Sequence, residues 1–234
     1  MRFAISNQSS LITPVQVATI AQAIIQQLKY HVAPAWDIMI PRVSILPDTS
    51  LLPVALAKRL IVISIKDSLD VPNALGDHSV DDTGFPIAEI GVKETLGNGG
   101  TILGPDGLAS VVSHEIIETI GDEYIGEWDD APDGSQWAHE LCDAVQGGNY
   151  PINGVSVSNF LLPPFFDSYV QSGSAGTFDY MGQLGQPFTL GPGGYSVIKK
   201  DGVISQIFAD SVSEADREKI KAKRRIKLRM HEGI

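Results

Sequence analysis

The chain is poor in cysteine, in long apolar runs and, across its middle, in positive charge. Cys142 is the only cysteine, so no disulfide can form within the chain and the core must hold without one. No apolar run approaches the roughly 20 residues that a helix needs to cross a bilayer, which sets membrane partners aside. The segment Met1–Ser9 lacks a basic stretch followed by an apolar one, so no signal peptide is expected and the expected location is cytoplasmic or virion-associated. The most telling absence is cationic. No Lys or Arg occurs between Lys93 and Lys199, an interval holding 14 Asp and Glu in a chain of net charge −11. A field of that sign attracts cations and repels phosphates, which argues against nucleic acid as a ligand of the central region.

What is present suits one large domain. The 234 residues, 43% of them hydrophobic, can bury a sizeable core. Thr13-Pro14 opens a helix, with Thr as its cap and Pro at its first position, and Val17, Ile20, Ile24 and Leu28 carry the apolar period to about Tyr30. Strands are expected over Trp36–Leu46, Leu60–Lys66 and Phe85–Lys93. Asp106 is expected to cap a second helix running from about Gly107 to Ile120, with Gly121 just past its end. The rest, to about residue 205, is rich in Gly, Pro and aromatics and reads as short strands and ordered loops. The fold class expected is α+β, with a single domain over residues 1–210 and a basic helix or arm over 211–234.

Chemistry concentrates on the second helix, in His114-Glu115-Ile-Ile-Glu118. Residues four apart lie one turn apart on one face, so His114 and Glu118 can hold one divalent ion, while Leu108, Val112, Ile116 and Ile120 face a core. Glu115 follows the first ligand, the place of a general base acting on water that the ion activates. A third ligand must come from elsewhere. Glu140 is the best candidate, because 26 residues separate it from His114, enough to bring the chain back beside the helix. Asp143 can take a hydrogen bond from the His114 imidazole and fix its tautomer, and Asp122 and His139 are alternative ligands. His78, in Gly-Asp-His-Ser, is expected on a turn, at the surface or bordering a cleft. Zinc is the expected ion. Calcium or another divalent ion is the alternative, since Asp129-Asp130-Ala-Pro-Asp133-Gly134-Ser135 has the composition of an acidic calcium-binding turn.

These motifs resemble the zincin superfamily of metallopeptidases in its gluzincin arrangement, where a downstream Glu with an Asp shortly after it supplies the third ligand. A narrower resemblance is to bacterial and phage proteins that carry Ser-His-Glu-x-x-Glu, a later Glu-x-x-Asp and an Asn-Gly-Val-x-Val-Ser-Asn-Phe stretch. Here these are Ser113–Glu118, Glu140–Asp143 and Asn153–Phe160. The plant Exordium-like proteins are similar over the first two. The chain departs from the zincin pattern in carrying Glu118 where the second His stands, and its Glu-to-Asp spacing is one residue shorter. The resemblance implies a zincin-like mixed sheet, an active-site helix and a loop-rich C-terminal half.

Two functions are then expected. One is a zinc-dependent hydrolase, most simply a peptidase, in which Glu115 is the base and Phe85–Lys93 is an edge strand that pairs with a peptide or protein substrate. The other is a structural, virion-associated protein that assembles into a larger particle and whose metal site staples the fold. Residues 217–229 carry eight Lys and Arg, a density able to bind nucleic acid in a salt-dependent way or to dock on the acidic body. Ser213 and Asp216 have the spacing of a helix cap.

Overall fold

The computed structural model describes residues 1–70, 74–168 and 176–218. Its helices and mixed sheets make an α+β fold. Strand β1 (Arg2–Asn7) leads to helix α1 (Pro14–Gln27), which starts as its sequence predicts. Thr13 Oγ1 accepts from the Gln16 amide at 3.2 Å and Gln16 Oε1 from the Thr13 amide at 2.8 Å, a reciprocal capping box. The helix does not stop near Tyr30. It widens into one π-helical turn at Leu28–Val32 and tightens again into α2 (Ala33–Trp36), which ends on Asp37 in the left-handed conformation (φ 48). The strand expected from Trp36 therefore begins only at β2 (Arg42–Leu46). Trp36 instead donates its indole N–H to the Leu161 carbonyl at 3.0 Å.

Helix α3 (Leu52–Ala57), which the sequence did not announce, leads into β3 (Ile61–Lys66). Next come β4 (Gly76–Val80), β5 (Pro86–Gly91) and α4 (Val92–Gly97), so the Phe85–Lys93 run is divided between a strand and a helix. These strands form one sheet in the order β2-β1-β3-β5-β4. The first four run parallel, with α1 and α3 in the crossovers, while β4 folds back antiparallel on β5. Asp81 fixes that hairpin by accepting from the amides of Thr83 at 2.8 Å and Phe85 at 3.0 Å. Consequently β5 lies inside the sheet and the edge is β4, contrary to the expected placement of Phe85–Lys93 at the edge.

Helix α5 (Leu108–Gly121) carries the motif and packs against β4 and β5. Asp106 does not cap it. That residue is left-handed (φ 50) and its carboxylate accepts from the Asn149 side chain at 2.9 Å, leaving Gly107 as the cap position. Gly121 lies within the helix rather than beyond it. A Cβ there would stand 2.4 Å from Cγ of Leu141, a fully buried side chain.

The C-terminal half supplies β6 (Trp128–Asp130), β7 (Gln136–Ala138), β8 (Asn149–Ile152), β9 (Val155–Ser158), β10 (Tyr195–Lys200) and β11 (Val203–Phe208). Asn153 and Gly154, both at positive φ, close the β8–β9 hairpin, the conformation an Asn-Gly turn favours. That hairpin packs on α1 and α5 and completes the main core around Phe3, Ile20, Ile63, Ile90, Ile116 and Phe160. A smaller core of Trp137, Val145, Leu161, Phe165, Phe178 and Leu184 lies under the sheet β11-β10-β7-β6. Buried Asn159 ties this half together. Its amide donates to Asp179 at 2.7 Å and its oxygen accepts from the amides of Phe160 at 2.9 Å and Met181 at 3.1 Å.

Beyond β11, residues 214–218 begin a helix that Ser213 caps, its Oγ accepting from the Asp216 amide at 3.2 Å. This start is docked on the body. Val212 is buried, and the Ser211 hydroxyl accepts from the Gly193 amide at 2.8 Å. Most of the basic run, from Lys219 onward, lies outside the described residues. No helix among them is long and apolar enough to cross a membrane.

The Gly121–Leu141 contact gives a test of sign. In an open helix, Gly→Ala is worth about 1 kcal/mol of stabilisation. Here Gly121→Ala is expected to destabilise by about 1–3 kcal/mol, because the buried Leu141 must move. Urea unfolding of the two proteins checks it, and a more stable variant would refute the contact.

Candidate metal centre

The site is assembled on α5 by contacts that fix the helix against both halves of the chain. Ser113, immediately before His114, accepts from the Ser158 amide of β9 at 2.7 Å. The Cys142 thiol lies 3.8 Å from the His114 carbonyl and donates to it. Burial comes first among the causes that push this thiol well above its usual range, so Cys142 is a packed side chain and not a nucleophile.

The most consequential neighbour of the helix is His78. It is neither on a turn nor at the surface: it sits on β4 with 1% of its area exposed, aimed at α5. Its Nδ1 stands 3.1 Å from Glu118 Oε2 and 3.5 Å from Glu115 Oε2, and its Nε2 stands 3.4 Å from Glu140 Oε2. His114 faces the other oxygen of Glu118, with Nε2 at 3.0 Å from Oε1 and 3.3 Å from Asp143 Oδ1. Two sets of ligand atoms therefore converge, His114/Glu118/Asp143 and His78/Glu115/Glu118, each with all its atoms within 4.8 Å of one another.

This geometry redistributes the expected roles. Asp143 faces the same His114 nitrogen as Glu118 does, so it stands among the ligand atoms rather than behind the ring. Glu140 belongs with His78 instead of completing the set around His114. Asp122 is engaged in the turn after α5, accepting from the amides of Gly126 at 2.7 Å and Glu127 at 2.9 Å. His139 stacks on Phe166 with centroids 4.2 Å apart, and its Nδ1 meets Asp129 Oδ2 at 2.6 Å. Neither residue appears in the converging sets. The acidic turn at 129–135 is a β6–β7 hairpin loop in which Asp133 accepts from Ser135 and from Lys200 Nζ at 2.8 Å.

Charge explains why the centre suits a cation. Burial opposes charge on His114, but the carboxylates of Glu118, Asp143 and Glu115 outweigh it and hold the imidazole well above its ordinary pKa. Burial likewise opposes charge on Glu118, yet the two imidazoles hold it well below the carboxylate range. A field that keeps a proton on His114 also favours a divalent cation at the same place. The donor set fits zinc: ligand atoms about 2.0–2.1 Å from a tetrahedral ion stand roughly 3.3 Å apart. The separations of 3.0 and 3.3 Å around His114 Nε2 match that requirement. One neutral imidazole and two carboxylates also cancel the charge of a divalent ion.

The centre opens to solvent on one side. A cavity of about 370 Å³ lies between α5, β4, the start of β10 and residues 211–216, and His114, Glu115, Gly76 and Tyr195 are on its wall. Gly76 is required there, because a Cβ would stand 2.5 Å from Glu115 Oε1. Tyr195 is buried and donates a hydrogen bond to Asp143. Burial, then the charges of Asp143 and Glu118, push its phenol well above the usual range, so it keeps that proton. No protein-family model, curated protein or solved structure matches the chain.

The His139–Asp129 pair carries a pH dependence independent of the centre. Burial lowers the His139 pKa, but the hydrogen bond and charge of Asp129 more than offset it, so the folded value lies above 6.5. The stability this pair adds is then full below the unfolded value and is lost as pH rises through the folded one. Asp129→Asn should cost stability near pH 6 and progressively less toward about pH 9 in urea titrations. A cost that stays constant across that range would exclude the charged pair.

Proposed function

We propose that this chain is a metal-dependent hydrolase of the zincin type, most simply a peptidase, with one divalent ion, zinc, held by His114, Glu118 and Asp143. The observation that carries the reading is the convergence of those three side chains beside an open cavity whose wall includes Glu115. An ion held there supplies a Lewis acid for a scissile carbonyl and lowers the pKa of a water in the cavity. Glu115 would take the proton, a role supported by its carboxylate lining the cavity beside Gly76. Tyr195, by donating to Asp143, orients that carboxylate toward His114. The outer side of β4 has no neighbouring strand among the described residues, so its backbone can pair with an extended peptide that passes the cavity. The resemblance of Ser113–Glu118 and Glu140–Asp143 to zincin motifs supports the same reading.

The test separates binding from chemistry. His114→Ala should lose the ion held by His114, Glu118 and Asp143, read as one zinc fewer per chain by mass spectrometry of the purified protein. Glu115→Gln should keep the His114-centred ion and the fold while lowering peptide hydrolysis by at least about 10²-fold. Full activity in Glu115→Gln, or unchanged metal content in His114→Ala, would remove the proposed machinery. A wild-type chain that holds the ion but cleaves nothing in a broad peptide library would favour a structural, virion-type protein with a metal staple.

A further inference from the structure

Glu118 is the single member common to the two converging sets, and its two oxygens point in different directions: Oε1 toward His114, Oε2 toward His78. The two imidazoles fall in different sets, each closing on its own oxygen of Glu118. From this we infer that the chain binds a second divalent ion, held by His78 Nδ1, Glu115 Oε2 and Glu118 Oε2, with Glu118 bridging the two ions. The inference rests on the first site proposed above and extends it to a two-ion centre.

Three features of the second set support it. The distances from His78 Nδ1, 3.1 Å to Glu118 and 3.5 Å to Glu115, bracket the roughly 3.3 Å expected between ligand atoms of one small ion. His78 Nε2 faces Glu140 at 3.4 Å, and a proton donated to that carboxylate leaves the Nδ1 lone pair directed at the other two. A metal-binding histidine is held in just this way, one nitrogen on the ion and the other on a carboxylate that fixes the tautomer. The charges also balance: Glu115, Glu118, Glu140 and Asp143 carry four negative charges, which two divalent ions cancel with both imidazoles neutral. A carboxylate bridging two ions about 3.5–4 Å apart is the usual arrangement of two-metal hydrolytic sites. Glu115 then binds through Oε2, and Oε1, beside Gly76 and the cavity, remains for proton transfer.

The test uses the full chain, stripped of metal and titrated with Mn²⁺, with free ion followed by electron paramagnetic resonance and bound ion by mass spectrometry. Wild type should take two Mn²⁺ per chain and show a spin-coupled spectrum. His78→Gln should take one, with an uncoupled spectrum, and His114→Gln should likewise take one. Should His78→Gln fail to fold, Glu140→Gln serves in its place, weakening the second ion about 10–100-fold and leaving the first unchanged. A wild type that binds one ion, lost in His114→Gln, leaves the proposed function standing and overturns the second site. Two ions that persist unchanged in His78→Gln and Glu140→Gln also overturn it. A wild type that binds no ion overturns the single-ion reading as well.

Discussion

Glu118 is buried with an imidazole at each of its oxygens, and three further carboxylates stand beside those rings. Four acids withdrawn from water, with no Lys or Arg between Lys93 and Lys199 to meet them, is an arrangement whose desolvation cost only cations can offset. That constraint accounts for the elevated affinity of His114 for a proton and for the persistence of the negative charge on Glu118. A lysine inside the cluster would neutralise one of these carboxylates and compete there with any cation.

The cluster is drawn from three separate lengths of chain, and most of the surrounding packing serves to hold them in place. β4 brings His78, α5 brings His114, Glu115 and Glu118, and the segment after β7 brings Glu140 and Asp143. Ser113 fastens the helix to the β8–β9 hairpin, while Gly121 lets Leu141 pass close enough for the next residues to reach the site. The Asn-Gly turn closes that hairpin, and Asn159, just after it, ties the chain to Asp179 of the C-terminal half. Residues as far apart as Gly76 and Tyr195 thus meet on one cavity wall.

The parts of the fold with strong helical period were legible in the sequence. Val17, Ile20, Ile24 and Leu28 defined α1, and the apolar face of α5 left His114 and Glu118 together on the other side. Short strands were less so. β1 reads Arg-Phe-Ala-Ile-Ser-Asn and is buried over most of its length, so it shows no alternation to distinguish it from a loop. β4 is harder still, because its inward positions are Gly76 and His78, neither of which signals a core. For that reason His78 was assigned to a turn. The period of two in Gly-Asp-His-Ser was its only trace. Glu140 and Asp143 are both expected beside the motif helix, and both side chains stand in the cluster. Which nitrogen each faces depends on side-chain orientations that spacing does not encode.

The position of His78 ties the state of the centre to how the sheet is terminated. β4 is the last strand on its side, and its inward imidazole is a direct link between that strand and α5. If the cations or protons that balance the cluster are withdrawn, the attraction of His78 for the carboxylates that holds β4 on α5 is lost, and β4 is paired with a strand on one side only among the described residues. Displacing it bares the N–H and C=O groups of β5, an apolar interior strand, and a row of that kind templates pairing with another chain. In a chain that holds ions as proposed above, colloidal behaviour would then follow their supply, the stripped protein associating edge to edge where the loaded one stays dispersed.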